Sequence, residues 1–257
     1  ETAKGGHDRT FGTNAKAWDW CSVNNAGFEY YQNAKKDGIG LPPHNPRIWV
    51  FRHQSNASCA PRLRRVWHPI GYSSNSGWSN FFINITAGRL LTYTNTLLKF
   101  ALPDIVIGTG GGYNTYDIYE SVNHELSHAS HFNKVGSAFW AKYVNYIITY
   151  GKKYDHPYGD ASCNNSGFCG VGEMWGYAMG YIRTYEKYQQ KPKNGQSKWF
   201  QPNLLYDLMT EKILTKKQIF DCLSSDVTSH ALLKQKMISR YPSKKDSIIA
   251  KFSRYGF

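Results

Sequence analysis

Residues 116–134 read Tyr-Asp-Ile-Tyr-Glu-Ser-Val-Asn-His-Glu-Leu-Ser-His-Ala-Ser-His-Phe-Asn-Lys, and their periodicity decides how the rest of the chain is read. Ile118, Val122, Leu126 and Ala129 recur at three- and four-residue steps, as one apolar face of a helix requires. Inside this stretch stands His124-Glu125-Leu126-Ser127-His128. Residues four apart lie one turn above each other, so the two imidazoles can converge on one ion. Glu125 projects about 100° further round and can reach a water on that ion without binding the ion itself. With 9 histidines in 257 residues, random placement gives roughly 0.01 such runs. A helix with incidental histidines is the plain alternative, and that frequency weighs against it.

Outward from this helix, the upstream chain carries the strand signals. Arg47-Ile48-Trp49-Val50-Phe51-Arg52 and Phe81-Phe82-Ile83-Asn84-Ile85 are compact β-like runs, and Asp104-Ile105-Val106-Ile107 is a third. A helical patch lies near Asn25 to Lys36, and Gly88 to Phe100 has helical spacing. Gly71 to Asn80 reads as an exposed loop. Gly108-Thr109-Gly110-Gly111-Gly112 lacks the Gly-Lys-Ser/Thr of a phosphate cradle and reads as a hinge or substrate-side loop. Downstream, helices are expected at about 137–152, 172–189, 203–214, 215–223, 229–240 and 244–252, with Thr215 to Gln218 forming a capping box. Strands first and helices after argue α+β, as a single domain over 1–257 with a β-containing part (1–110) and a helical part (111–257).

Composition narrows the classes. The chain has 31 basic and 18 acidic residues, a formal net charge of +13. The basic residues are scattered, with no zinc-finger spacing and no RNA-binding aromatic signature, so solvated faces explain them better than nucleic acid does. No apolar run is long enough for a membrane span. Aromatics reach 16%, which suits half-buried surfaces and substrate grooves. Of the 5 cysteines, Cys163 and Cys169 could close a short disulfide loop and Cys21 could pair with Cys59, weak pointers to an oxidising compartment. The start, Glu1-Thr2-Ala3, lacks an initiator Met and reads as a processed or truncated product.

Zinc needs a third protein ligand and keeps a fourth position for water. His131 shares the histidine face, but seven residues place it about 10 Å along the axis from His124, too far for one ion on a straight helix. It reads as a satisfied helix-end histidine. Glu186 and Glu211 sit among charged neighbours and read as surface residues. Glu173 stands in Gly170-Val171-Gly172-Glu173-Met174-Trp175-Gly176-Tyr177-Ala178-Met179-Gly180, otherwise devoid of charge, where an isolated carboxylate demands a partner. Gly176 and Gly180 share its face and would let this helix approach the metal helix closely. A first-turn charge favoured by the helix dipole is the competing explanation.

On these residues the sequence resembles the gluzincin branch of the zincin metallopeptidases, in which HExxH supplies two ligands and a downstream helix a glutamate. In particular it resembles uncharacterised bacterial secreted or cell-surface zinc metallopeptidases, over about residues 104 to 185. The resemblance implies a zincin-like fold, one zinc ion held by His124, His128 and Glu173, Glu125 as general base, and a peptide or protein substrate. The usual surroundings of the downstream glutamate are absent, since the context here is Glu-Met-Trp-Gly-Tyr.

Supporting roles follow. Tyr177, one turn after Glu173, is the first candidate to stabilise the oxyanion, with His156 and Tyr158 next. Asp117 and Glu120 could support His124. The 104–108 segment could pair with an extended peptide as an edge strand. A module from another class, a silent zincin scaffold or an aromatic-rich glycan or protein binder, is the alternative. A nucleic-acid binder would rest on charge alone.

Overall fold

The computed structural model describes residues 12, 16–52, 58–60, 103–110, 112–151, 158–192 and 198–257. The expected strand at 81–85, the helix at 88–100, the loop at 71–80 and His156 lie outside them. Helix α1 spans Lys16–Asp37, so the patch expected from Asn25 begins nine residues earlier. Strands β1 (Ile48–Phe51) and β2 (Ile105–Gly108) form a two-stranded parallel sheet, Ile48 opposite Ile105 and Phe51 opposite Gly108. Helices α2 (Thr115–Val135), α3 (Ser137–Tyr146), α4 (Ser166–Tyr188), α5 (Asn203–Thr210), α6 (Lys216–Cys222), α7 (His230–Arg240) and α8 (Lys245–Arg254) follow, with a π-helical turn at Ile147–Gly151 after α3. A small sheet beside a mostly helical body is α+β in the loose sense that the sequence implied.

Every residue of β2 is buried, as expected of a strand whose residues are apolar without alternation. The edge of β2 opposite β1 is occupied at Val106. Cys59 donates its backbone N–H to the Val106 carbonyl at 2.9 Å and accepts from Val106 N–H at 2.8 Å. The reading of 104–108 as a free edge for a peptide is therefore corrected: the chain's own residues 58–60 already use its central backbone groups.

Helix α2 begins at a capping box. Asn114 accepts from Asp117 N–H at 3.1 Å, while Asp117 accepts from the Asn114 N–H at 3.1 Å, so two of the first-turn donors are satisfied. Asp117 is thereby committed to the cap rather than to His124. Gly136, at φ +83°, breaks the chain between α2 and α3, a conformation that favours glycine. From Val122 to Phe132 every residue of α2 is buried, its polar ones included. That burial is tolerated because side chains bond within the helix and across it. Asn123 donates to the Tyr119 carbonyl at 2.8 Å and Ser127 to the Asn123 carbonyl at 2.6 Å. Tyr30 of α1 pairs with Ser130 at 2.7 Å, and Trp175 of α4 donates its indole N–H to the Ser127 carbonyl at 3.2 Å.

The main core joins α1, β2, α2 and α4 to the C-terminal helices. A second cluster of Phe132, Phe139, Trp140, Tyr143, Tyr146 and Cys169 sits between α2, α3 and the start of α4. No disulfide joins Cys163 to Cys169, or Cys21 to Cys59. Among the described residues no helix is long and apolar enough to cross a membrane.

Candidate metal centre

His124 and His128 project from the middle of α2, where burial leaves them 8% and 2% exposed. Their Nε2 atoms face each other at 2.9 Å, with ring centres 4.5 Å apart. Glu173 comes across from α4. Its Oε2 lies 3.5 Å from His124 Nε2 and its Oε1 3.6 Å from His128 Nε2. Glu125 Oε1 lies further off, 3.9 Å from His124 Nε2. His124, Glu125 and His128 form a group of donors close enough to hold a metal ion. Glu173, nearer to both histidines than Glu125 is to His124, is the better third donor.

The glycines of α4 produce this approach. Gly172, Gly176 and Gly180 recur every four residues and form one bare stripe. A methyl group at Gly176 would stand 2.6 Å from His128 Cε1 and 2.8 Å from its Nε2, and one at Gly180 would stand 3.1 Å from the Glu120 carbonyl. At Gly172 it would meet the Tyr143 ring at 3.1 Å. Each glycine costs the helix roughly 0.5–1 kcal/mol relative to alanine. In return α4 lies against α2 and α3 so closely that a short glutamate side chain reaches both imidazoles. Glu173 sits two turns into a helix that starts at Ser166. Its charge is therefore not a first-turn response to the helix dipole, whose influence fades within one turn.

The donor set fits a divalent cation of zinc's size. With zinc–ligand bonds of about 2.0–2.1 Å, neighbouring tetrahedral ligands stand about 3.3 Å apart. The 3.5 and 3.6 Å separations of Glu173 match that edge, and the 2.9 Å histidine pair is tighter. Glu173 Oε2 is buried without a hydrogen-bond partner among the described residues, and a cation would supply a partner. Burial, reinforced by the neighbouring His128, pushes His124 down to about 3, so it is a neutral donor near pH 7. Burial opposes ionisation of Glu173. The two histidines and Tyr143 outweigh it and hold the carboxyl below its usual range. One feature departs from common zinc sites: His128 Nδ1 has no hydrogen-bond acceptor among the described residues and packs against Trp140 and Tyr143.

Tyr143, on α3, is a site residue that sequence reasoning missed. Its hydroxyl donates to Glu173 Oε1, orienting the carboxylate as an outer partner orients a ligand. Its helical spacing with Trp140 marks it as core-facing, but nothing local ties it to a glutamate 30 residues away. Tyr143→Phe is expected to weaken metal binding at this cluster about 10–100-fold and to lower stability by about 1.5–3 kcal/mol. Chelator competition and thermal melting check the two effects. Unchanged metal affinity would remove Tyr143 from the site.

Tyr177 lies where the sequence placed it, one turn after Glu173, with its ring 4.3 Å from that of His124. Its hydroxyl pairs with that of Tyr158 at 2.6 Å. Burial, with Glu173 adding to it, raises both phenols, so each is a donor at neutral pH.

The expectation for His131 needs correction. It is fully buried between Phe139 and Trp140, yet neither ring nitrogen has a hydrogen-bond partner among the described residues. It is an unsatisfied core histidine, pushed down to about 3 by burial and by His128, and it does not join the donor group. Glu186 and Glu211 are surface residues as expected, paired with Lys216 and Lys251. Glu120 lies beside Tyr116 and the Gly180 backbone. No protein-family model, curated protein or solved structure matches the chain.

Proposed function

We propose that the protein is a zinc metallopeptidase that hydrolyses peptide bonds with Glu125 as general base. The observation that carries this reading is the meeting of Glu173 with His124 and His128 in one buried cluster, at 3.5 and 3.6 Å, although α4 is separated from α2 by α3 in the sequence. His124, His128 and Glu173 would hold the ion, and three protein donors leave a position open, as catalytic rather than structural zinc sites do. Zinc bound there supplies a Lewis acid that polarises the scissile carbonyl and makes water acidic near neutral pH.

The chain's own residues account for the rest. Glu125, 3% exposed, takes the proton of the attacking water and returns it to the leaving amine. Tyr177, kept protonated by burial and braced by Tyr158, donates to the oxyanion that develops on the former carbonyl. Tyr143 holds Glu173 in place.

Metal analysis of the purified protein tests the reading. One equivalent of zinc is expected, falling below about one tenth in His124→Ala, with cleavage of a peptide library by the unaltered protein. Zinc retained by His124→Ala would refute the site. Full zinc occupancy with no peptide cleaved would favour the binding module instead.

A further inference from the structure

Lys198 stands at the rim of this centre. Its ammonium lies 4.5 Å from the ring centre of Tyr177, 4.7 Å from that of Tyr158 and 5.9 Å from that of Phe200. The side chain is half-buried. Other lysines that are half-buried or buried have oxygen partners: Lys216 meets Asp37 and Glu186, Lys236 meets Asp226, Lys251 meets Asp207 and Glu211, and Lys234 meets the Phe257 carbonyl. Among the described residues Lys198 has neither a carboxylate nor a carbonyl. The aromatic rings explain where the ammonium rests, but among the described residues they leave a partly desolvated cation with no anion in contact with it.

Position gives that vacancy a meaning. Tyr177 carries the ammonium on its ring at 4.5 Å and the His124 ring at 4.3 Å, so anchor and metal centre share one side chain. Extended chain advances about 3.3–3.6 Å per residue. The ammonium therefore stands no more than about 9 Å from the His124 ring centre, within reach of a negative group one or two residues along a substrate whose scissile bond lies at the metal centre.

We propose that Lys198 anchors a substrate carboxylate, the free C-terminus of a peptide cleaved one or two residues from its end. The inference rests on the peptidase reading for its cleavage arm only. In this role Lys198 determines specificity, and Glu125 performs the proton transfer. Burial lowers the affinity of Lys198 for its proton, and the field of Glu173 opposes that, so a bound carboxylate would further stabilise the ammonium.

Binding is tested first, with a randomised pool of N-acetyl pentapeptides made both as free acids and as carboxamides. On the Glu125→Gln protein, equilibrium dialysis is expected to show the acids bound about tenfold more tightly than the amides. Lys198→Met, which keeps the aliphatic stem, should erase that preference, and Lys198→Arg should keep it. On the unaltered enzyme, the acids should lose one or two C-terminal residues. Lys198→Met should raise KM about tenfold with kcat within about threefold. Equal binding of acids and amides, or a preference that survives Lys198→Met, would overturn the proposal. Preference only for amides with Asp or Glu at the last two positions would overturn the chain-end source of the carboxylate. Acid-selective binding without any cleavage would keep the anchor and refute the peptidase reading, so the two failures can be told apart.

Discussion

On the proposed peptidase reading, Glu125→Gln is expected to lower peptide cleavage by about 10²–10⁴-fold while zinc stays bound. Glutamine has the shape of glutamate but cannot accept the water's proton, so the change removes the base and little else. The separation of roles follows from the site: Glu125 Oε1 is 3.9 Å from His124 Nε2, whereas Glu173 touches both histidines at closer range. If Glu125 were the third ligand, its glutamine variant would lose zinc together with activity. Metal content and initial rates measured on the same preparation decide between the two. Retained zinc with lost turnover supports Glu125 as the base, and lost zinc would assign it to the ion and leave Glu173 without its role.

The second large effect is expected from Gly176→Ala, a change of one methyl group outside the donor set. The added carbon would lie 2.6 Å from His128 Cε1, 2.8 Å from its Nε2 and 3.2 Å from His124 Cε1, well inside the roughly 3.5–4.0 Å of a comfortable contact. His128 cannot give way, because it is 2% exposed and lies against Trp140 and Tyr143. Helix α4 must move instead, carrying Glu173 away from the histidines. Overpacking costs about 1–3 kcal/mol, against roughly 0.5–1 kcal/mol gained in helix propensity, so the steric term wins. Zinc affinity should fall by at least about 10–100-fold. Gly27→Ala in α1 is the control, since among the described residues its methyl group would meet only Leu126 Cδ1 at 3.9 Å. It should leave zinc affinity unchanged and melt no lower than the unaltered protein. Equal zinc binding by Gly176→Ala would show that the glycine stripe does not set the site.

Much of this molecule was legible along the chain because the signals are local. The four-residue spacing of His124 and His128 is also the pitch of the helix that carries them, so periodicity alone put both imidazoles on one face. Ile48–Phe51 and Ile105–Gly108 were readable as strands from short apolar runs bounded by breakers. Glu173 could be singled out because a lone charge among apolar and glycine residues has few affordable explanations. Its neighbours Gly176 and Gly180 said which way it would face.

What the sequence could not show depends on partners far away in it. Tyr143 reads as one more aromatic of a core-facing helix until α4 brings Glu173 to its hydroxyl. Lys198 reads as one of many scattered lysines until the rings of Tyr158 and Tyr177, the latter packed on His124, hold its ammonium. His131 has the same residue type and helix face as the two donors, yet packing seals it between Phe139 and Trp140 with neither nitrogen bonded among the described residues. Spacing within a helix determined which side chains share a face. Only the close approach of α4 to α2, permitted by glycines with no side chain to hold the helices apart, decided which of them meet.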